Sequence, residues 1–122
     1  MTTDKRKYFR LKNGVKVIYK SVGKFGEYKS EALDVGGGGL LLPANERLEK
    51  GTPLELSLNL PQDKDAFFAL ARVAWQSPNA KKNDAGRLYY ETGVEFLKMN
   101  LKDRLQIIHY VHSGLSKKMD DL

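Results

Sequence analysis

The chain has 122 residues, 41% of them apolar and 30% charged, enough for one hydrophobic core and too few for two domains of ordinary size. It has no cysteine, which excludes disulfides, thiolate metal sites and a cysteine nucleophile. No apolar run follows the basic amino terminus and no stretch approaches the roughly 18 apolar residues of a spanning helix, so a cytoplasmic protein without membrane insertion is expected. The net charge of +6 is unevenly placed, because residues 1–29 hold nine Lys/Arg and two acids while the rest holds twelve bases and thirteen acids. Such a localised field suits an anionic partner (nucleic acid, nucleotide, phospholipid headgroup or acidic protein surface) or merely keeps the chain soluble.

In chain order, Gly14 to Lys20 places Val15, Val17 and Tyr19 on one side and Lys16 and Lys20 on the other, the period of a half-buried strand. Gly23 and Gly26 mark a turn. Tyr28 to Val35 reads as a second strand, entering Gly36-Gly37-Gly38-Gly39, and Leu40-Leu41-Leu42 resumes it until Pro43. The clearest alternation is Pro53 to Pro61, where Leu54, Leu56, Leu58 and Leu60 share one face. Ala66 to Gln76 is a further strand, with Phe67, Ala69, Ala71, Val73 and Trp75 in one register. A polar, basic loop from Ser77 to Gly86 leads into a strand over Arg87 to Phe96. A helix over 101–113 closes the chain. Asn100 is its cap, Asp103 lies in its first turn, and Leu101, Leu105, Ile108 and His112 form a stripe widened by Ile107 and Val111. Gly114 should end it, leaving 116–122 as a frayed tail. Five or six short strands and one amphipathic helix predict a small antiparallel barrel capped by that helix.

Catalysis has little to stand on. His109 and His112 are three apart on the helix but lack a third ligand at helical spacing, so no metal site is assigned. There is no Gly-x-Ser-x-Gly elbow, and the four glycines lack the Gly-Lys-Ser/Thr of a phosphate loop. Two features remain. Arg6-Lys7-Tyr8-Phe9-Arg10 sets two arginines four apart ahead of the first strand. Asp34-Val35-Gly36-Gly37-Gly38-Gly39 sets a carboxylate at a strand end before backbone that a ligand can approach closely, or simply forms a turn.

Together and in this order, these features resemble the PilZ family, bacterial receptor domains for cyclic di-GMP. Arg6 and Arg10 match its Arg-x-x-x-Arg motif. Asp34 and Gly39 match Asp/Asn-x-Ser-x-x-Gly, with Gly36 where the serine is expected. Gly51-Thr52-Pro53-Leu54, Ala71-Arg72-Val73-Ala74-Trp75 and Gly93-Val94-Glu95-Phe96 also follow the family's course. The resemblance covers residues 5 to 113 and implies a six-stranded antiparallel barrel with a carboxy-terminal helix. Residues 1–115 then form one domain, with 1–12 as a flexible basic segment that binds the ligand.

The resemblance implies cyclic di-GMP held by Arg6, Arg10, Asp34, Gly36 and Gly39, with Lys5 and Trp75 as secondary candidates, and no catalytic residue, metal or cofactor. Arginine suits the ligand, since its fork pairs with guanine N7 and O6 and its plane stacks on purines. Asp34 would accept from guanine N1 and N2 or hold an arginine. The missing serine hydroxyl is worth roughly 1.5–3 kcal/mol if it bonds a charged group. The expected role is an adaptor that changes shape and signals to an unidentified partner protein, since 122 residues leave no room for an output domain. The rival reading, supported by Gly36, is a PilZ-like protein-interaction module of pilus or flagellar function that does not bind the nucleotide. Nucleic-acid binding by the basic amino terminus is disfavoured.

Overall fold

The computed structural model describes residues 14–61 and 65–120, with 114–120 as backbone only. Eight strands precede one helix: β1 (Lys16–Ser21), β2 (Tyr28–Glu31), β3 (Asp34–Val35), β4 (Gly39–Ala44), β5 (Pro53–Asn59), β6 (Phe67–Gln76), β7 (Lys81–Lys82), β8 (Leu88–Met99) and α1 (Leu101–Asp120). All pairings are antiparallel, in the order β2-β1-β5-β6-β8-β4-β3, with β7 added to β8.

The two ends of this order are consecutive in the chain. β2 pairs with β1, and three residues later β3 pairs with β4. Between them, the Ala32 N–H donates to the Val15 carbonyl and the Leu33 N–H to the Leu41 carbonyl. The single strand expected over Tyr28 to Val35 is therefore an interrupted one that changes partners at Ala32–Leu33 and so curls the sheet back on itself. Counted as one, it makes six strands with β1, β4, β5, β6 and β8, the architecture expected from the sequence.

The interior follows the alternation of the strands. Val15, Val17 and Tyr19 of the first strand region, Leu54, Leu56, Leu58 and Leu60 around β5, and Phe67, Ala69, Ala71 and Val73 of β6 are all buried. Each of the larger side chains removes apolar surface worth about 1.5–3 kcal/mol when fully buried. Thr92 is the buried polar residue among those described; its hydroxyl donates to the Tyr90 carbonyl and accepts from Gln76 Nε2. Gln76 also donates to the Glu46 carbonyl and accepts from the Leu48 N–H, so one amide pins the loop after β4 to the end of β6.

The structure corrects four local readings. Pro43 does not stop its strand: it pairs with Glu91 inside β4. Its carbonyl accepts from Ser30 Oγ and that of Glu91 from the Ser77 N–H, so both groups point out of the β4–β8 ladder, where an absent N–H costs nothing. The loop from Ser77 to Gly86 contains β7, closed by a turn in which Asn83 Oδ1 accepts from the Ala85 and Arg87 N–H groups. The helix continues through Gly114 to Asp120. Its buried side is set by Ile107, with Tyr110 and Val111 packed at the edge, whereas Leu101, Leu105 and His112 of the expected stripe are exposed.

Candidate functional site

The outer face of the sheet carries a shallow groove over β3, β4, β8 and β6. Asp34 pairs with Leu41, Leu41 with Gly93, and Gly93 with Trp75, so these four residues form one cross-sheet row. Three inter-strand steps make it about 14 Å from end to end. The adjoining row is Gly39–Glu95–Arg72. Asp34, Gly36, Gly39 and Trp75, four of the residues singled out in the sequence, all line this groove. Lys5, Arg6 and Arg10 lie outside the described residues.

Trp75 reaches the groove through an irregularity. The pairing of β6 with β8 shifts between Val73 and Trp75, so the residue that strict alternation sends inward turns outward and is 49% exposed. Its indole lies over Gly93, where a Cβ would overlap Nε1. Gly93 thus leaves room for the ring to approach the sheet closely. On its other side the ring borders a second hollow, lined by Arg47, Leu48, Glu49, Lys50 and Gln76.

Gly36 to Gly39 form the tight turn between β3 and β4, in which the Gly36 N–H donates to the Gly39 carbonyl at 2.9 Å. The glycines have different reasons to be there. A Cβ at Gly39 would overlap the carbonyl oxygen of Val94, so this residue is required by the approach of β4 to β8 whatever the groove binds. A Cβ at Gly36 would have Gly39 O as its nearest neighbour, at 4.0 Å, so a serine fits there. At Gly37 the helix takes over: Ile108 fills the place of a side chain, and Arg104 Nη1 donates to the Gly37 carbonyl at 2.9 Å.

Sequence reasoning missed three groups. Arg104 holds the glycine turn from the helix. Gly93 forms the floor beneath Trp75. Glu95 lines the groove beside Gly39 and pairs with Arg72 Nε at 2.9 Å. Alternation in 93–96 could have turned Glu95 outward, but its place beside Gly39 depends on the sheet pairing. Chemically, the described lining offers carboxylate acceptors at Asp34 and Glu95, an aromatic face at Trp75 and no lysine or arginine. Among the described residues, no three His, Asp or Glu side chains gather to hold a metal ion, and no helix is long and apolar enough to cross a membrane.

The sequence matches the PilZ domain over residues 4–113. The chain belongs to the PilZ domain family. That family is one of cyclic di-GMP receptors, and its domains are not catalytic. Solved structures of similar shape include apo MrkH of K. pneumonia (TM-score 0.75, 16% identity, 98% of this chain and 53% of that one). The Bacillus subtilis inhibitor of motility MotI/DgrA gives a TM-score of 0.64 at 16% identity, over 97% of this chain and 53% of its own. The PilZ domain of YcgR from Escherichia coli, solved with c-di-GMP, gives 0.64 at 16% identity over 98% of this chain and 100% of that one. This PilZ domain therefore spans about half the length of the MotI/DgrA and MrkH chains and the whole of the YcgR domain. No curated protein sequence matches it.

Proposed function

We propose that this PilZ domain is a non-catalytic receptor for cyclic di-GMP that works in the cytoplasm and passes its signal to a partner protein. The observation that carries the reading is the convergence on one groove of the Asp34–Gly39 segment and Trp75, which lies 36 residues further along the chain. In this reading Asp34 accepts the N1 and N2 hydrogens of a guanine, Trp75 offers a face for stacking, and Gly36 and Gly39 admit the ligand close to the backbone. The groove's own lining holds no lysine or arginine and Arg72 beside it is engaged by Glu95, so in this reading the neutralising charge falls to Arg6 and Arg10, with Lys5 in support. No cofactor is required. YcgR, a relative in fold, was solved with c-di-GMP, which supports the same ligand class here.

Gly36 supports the rival reading, a protein-interaction module that has lost the nucleotide, because a serine would fit in its place and supply the hydroxyl of the family motif. Equilibrium dialysis with labelled cyclic di-GMP decides between the two. Retention that falls at least tenfold in Arg10→Ala supports the receptor. No retention by the unaltered chain, together with partner capture indifferent to added nucleotide, supports the module.

A further inference from the structure

We infer that the outer face of β5, β6 and β8, beyond the Arg72–Glu95 row that borders the groove, is a self-complementary surface that pairs this chain with a second copy of itself. Glu55 pairs with Leu70 and Leu70 with Lys98, so an acid, an apolar residue and a base stand in one row across three strands. The row beside it holds Ser57 and Phe68. β8 ends at Met99, so Phe68 has no strand neighbour on that side and is 69% exposed. Leu97 is the extra residue where the β6–β8 pairing shifts, and it is exposed next to Lys98. Glu55, Phe68, Leu70 and Lys98 line one hollow. Large apolar side chains grouped on a sheet face, rimmed by charge, mark an interaction surface more often than isolated exposed ones do.

The charges specify the occupant. A two-fold axis lying along β6 in the interface plane exchanges the β5 side of one face with the β8 side of its mate. Glu55 of each copy then faces Lys98 of the other, Leu70 faces Leu70 and Phe68 faces Phe68, with the two sheets about 10 Å apart. Glu55 has room for this second partner, since its contact with Lys20 spans 3.9 Å and leaves its side chain 57% exposed. Lys98 has no ion-pair partner among the described residues. An unrelated partner would need no such matching of opposite charges about a central leucine.

Sedimentation of the full chain from about 1 µM to about 500 µM reads the equilibrium directly. The expected result is a reversible dimer that is lost in Phe68→Asp, weakened at least tenfold in Glu55→Lys and in Lys98→Glu, and restored when the two charge reversals are combined. The combined variant guards against simple misfolding, which it would not repair. A chain that stays monomeric throughout, a dimer indifferent to all three single changes, or single-reversal losses that the combination does not restore would each overturn the proposal.

Discussion

Arg104 of the helix donates from Nη1 to the carbonyl of Gly37, 67 residues earlier, at 2.9 Å. This bond ties the carboxy-terminal helix to the turn that shapes the groove, while Ile108 of the same helix occupies the space where Gly37 has no side chain. The helix and the glycine turn are thus bonded and packed as one unit, and in the proposed reading ligand contact at Gly36 or Gly39 would bear on the helix through it.

Removing that tie should loosen both. Arg104→Ala is expected to lower stability by about 1–2 kcal/mol, because a charged donor to a partly buried carbonyl is lost, and to weaken nucleotide binding several-fold. Arg104→Lys should recover part of each. Thermal unfolding and a binding titration on the same samples check this; full affinity in Arg104→Ala would mean the turn holds its shape without the helix.

Trp75 is the single tryptophan of the chain and lies in the groove, so intrinsic fluorescence reports occupancy there directly. Saturating ligand should change its emission, and Trp75→Ala should cost about 1–3 kcal/mol of binding through lost stacking. Gly93→Ala should shift the emission of the free protein as well, since the new methyl displaces the indole from the sheet.

The glycines of the turn should respond in opposite ways. Gly36→Ser restores the hydroxyl of the family motif where space exists, and is expected to tighten cyclic di-GMP binding by about one to two powers of ten with little change in stability. Gly39→Ala drives a methyl into the Val94 carbonyl and should destabilise the fold by about 3 kcal/mol or more. Binding and unfolding measurements on the pair separate a ligand contact from a packing requirement.

Alkaline stability should expose Tyr19. Burial pushes its hydroxyl above the ordinary value of 10.0, with Glu46 and Tyr28 adding to the rise and the Asn45 N–H opposing it. The unfolded chain then releases this proton first, so the stabilisation is complete below pH 10.0 and is lost as pH rises through the higher folded value. Tyr110, also raised by burial, contributes in the same direction. Tyr19→Phe should cost about 1 kcal/mol near neutrality, where the Asn45 N–H loses its acceptor, and should flatten the decline above pH 10 in a denaturation series.

The strands were legible because alternation writes the buried face into the chain, as the four leucines around β5 and the Val15, Val17 and Tyr19 set show. Strict alternation points Trp75 inward, whereas the structure turns it outward, because a count of two along a strand cannot register a shift in pairing. On the helix, apolar residues cover more than one face, so sequence alone does not choose between Leu101–Leu105 and Ile107–Val111. The choice falls to the surface beneath, where Gly37 offers Ile108 a place without a competing side chain. Motif order singles out Asp34, Gly36 and Gly39 as candidates, and the structure places them along one groove. It does not reach Glu95, Gly93 and Arg104, because their places in the site arise from pairings between residues far apart in the chain.

Calorimetric titration of the full chain with cyclic di-GMP, beside cyclic di-AMP and GTP, tests the central claim most directly. The account predicts saturable heat with cyclic di-GMP at no more than about 50 µM ligand, little or none with the other two, and at least a tenfold loss of affinity in Arg10→Ala and in Asp34→Ala. No heat with cyclic di-GMP, or affinity undiminished in both variants, would contradict it.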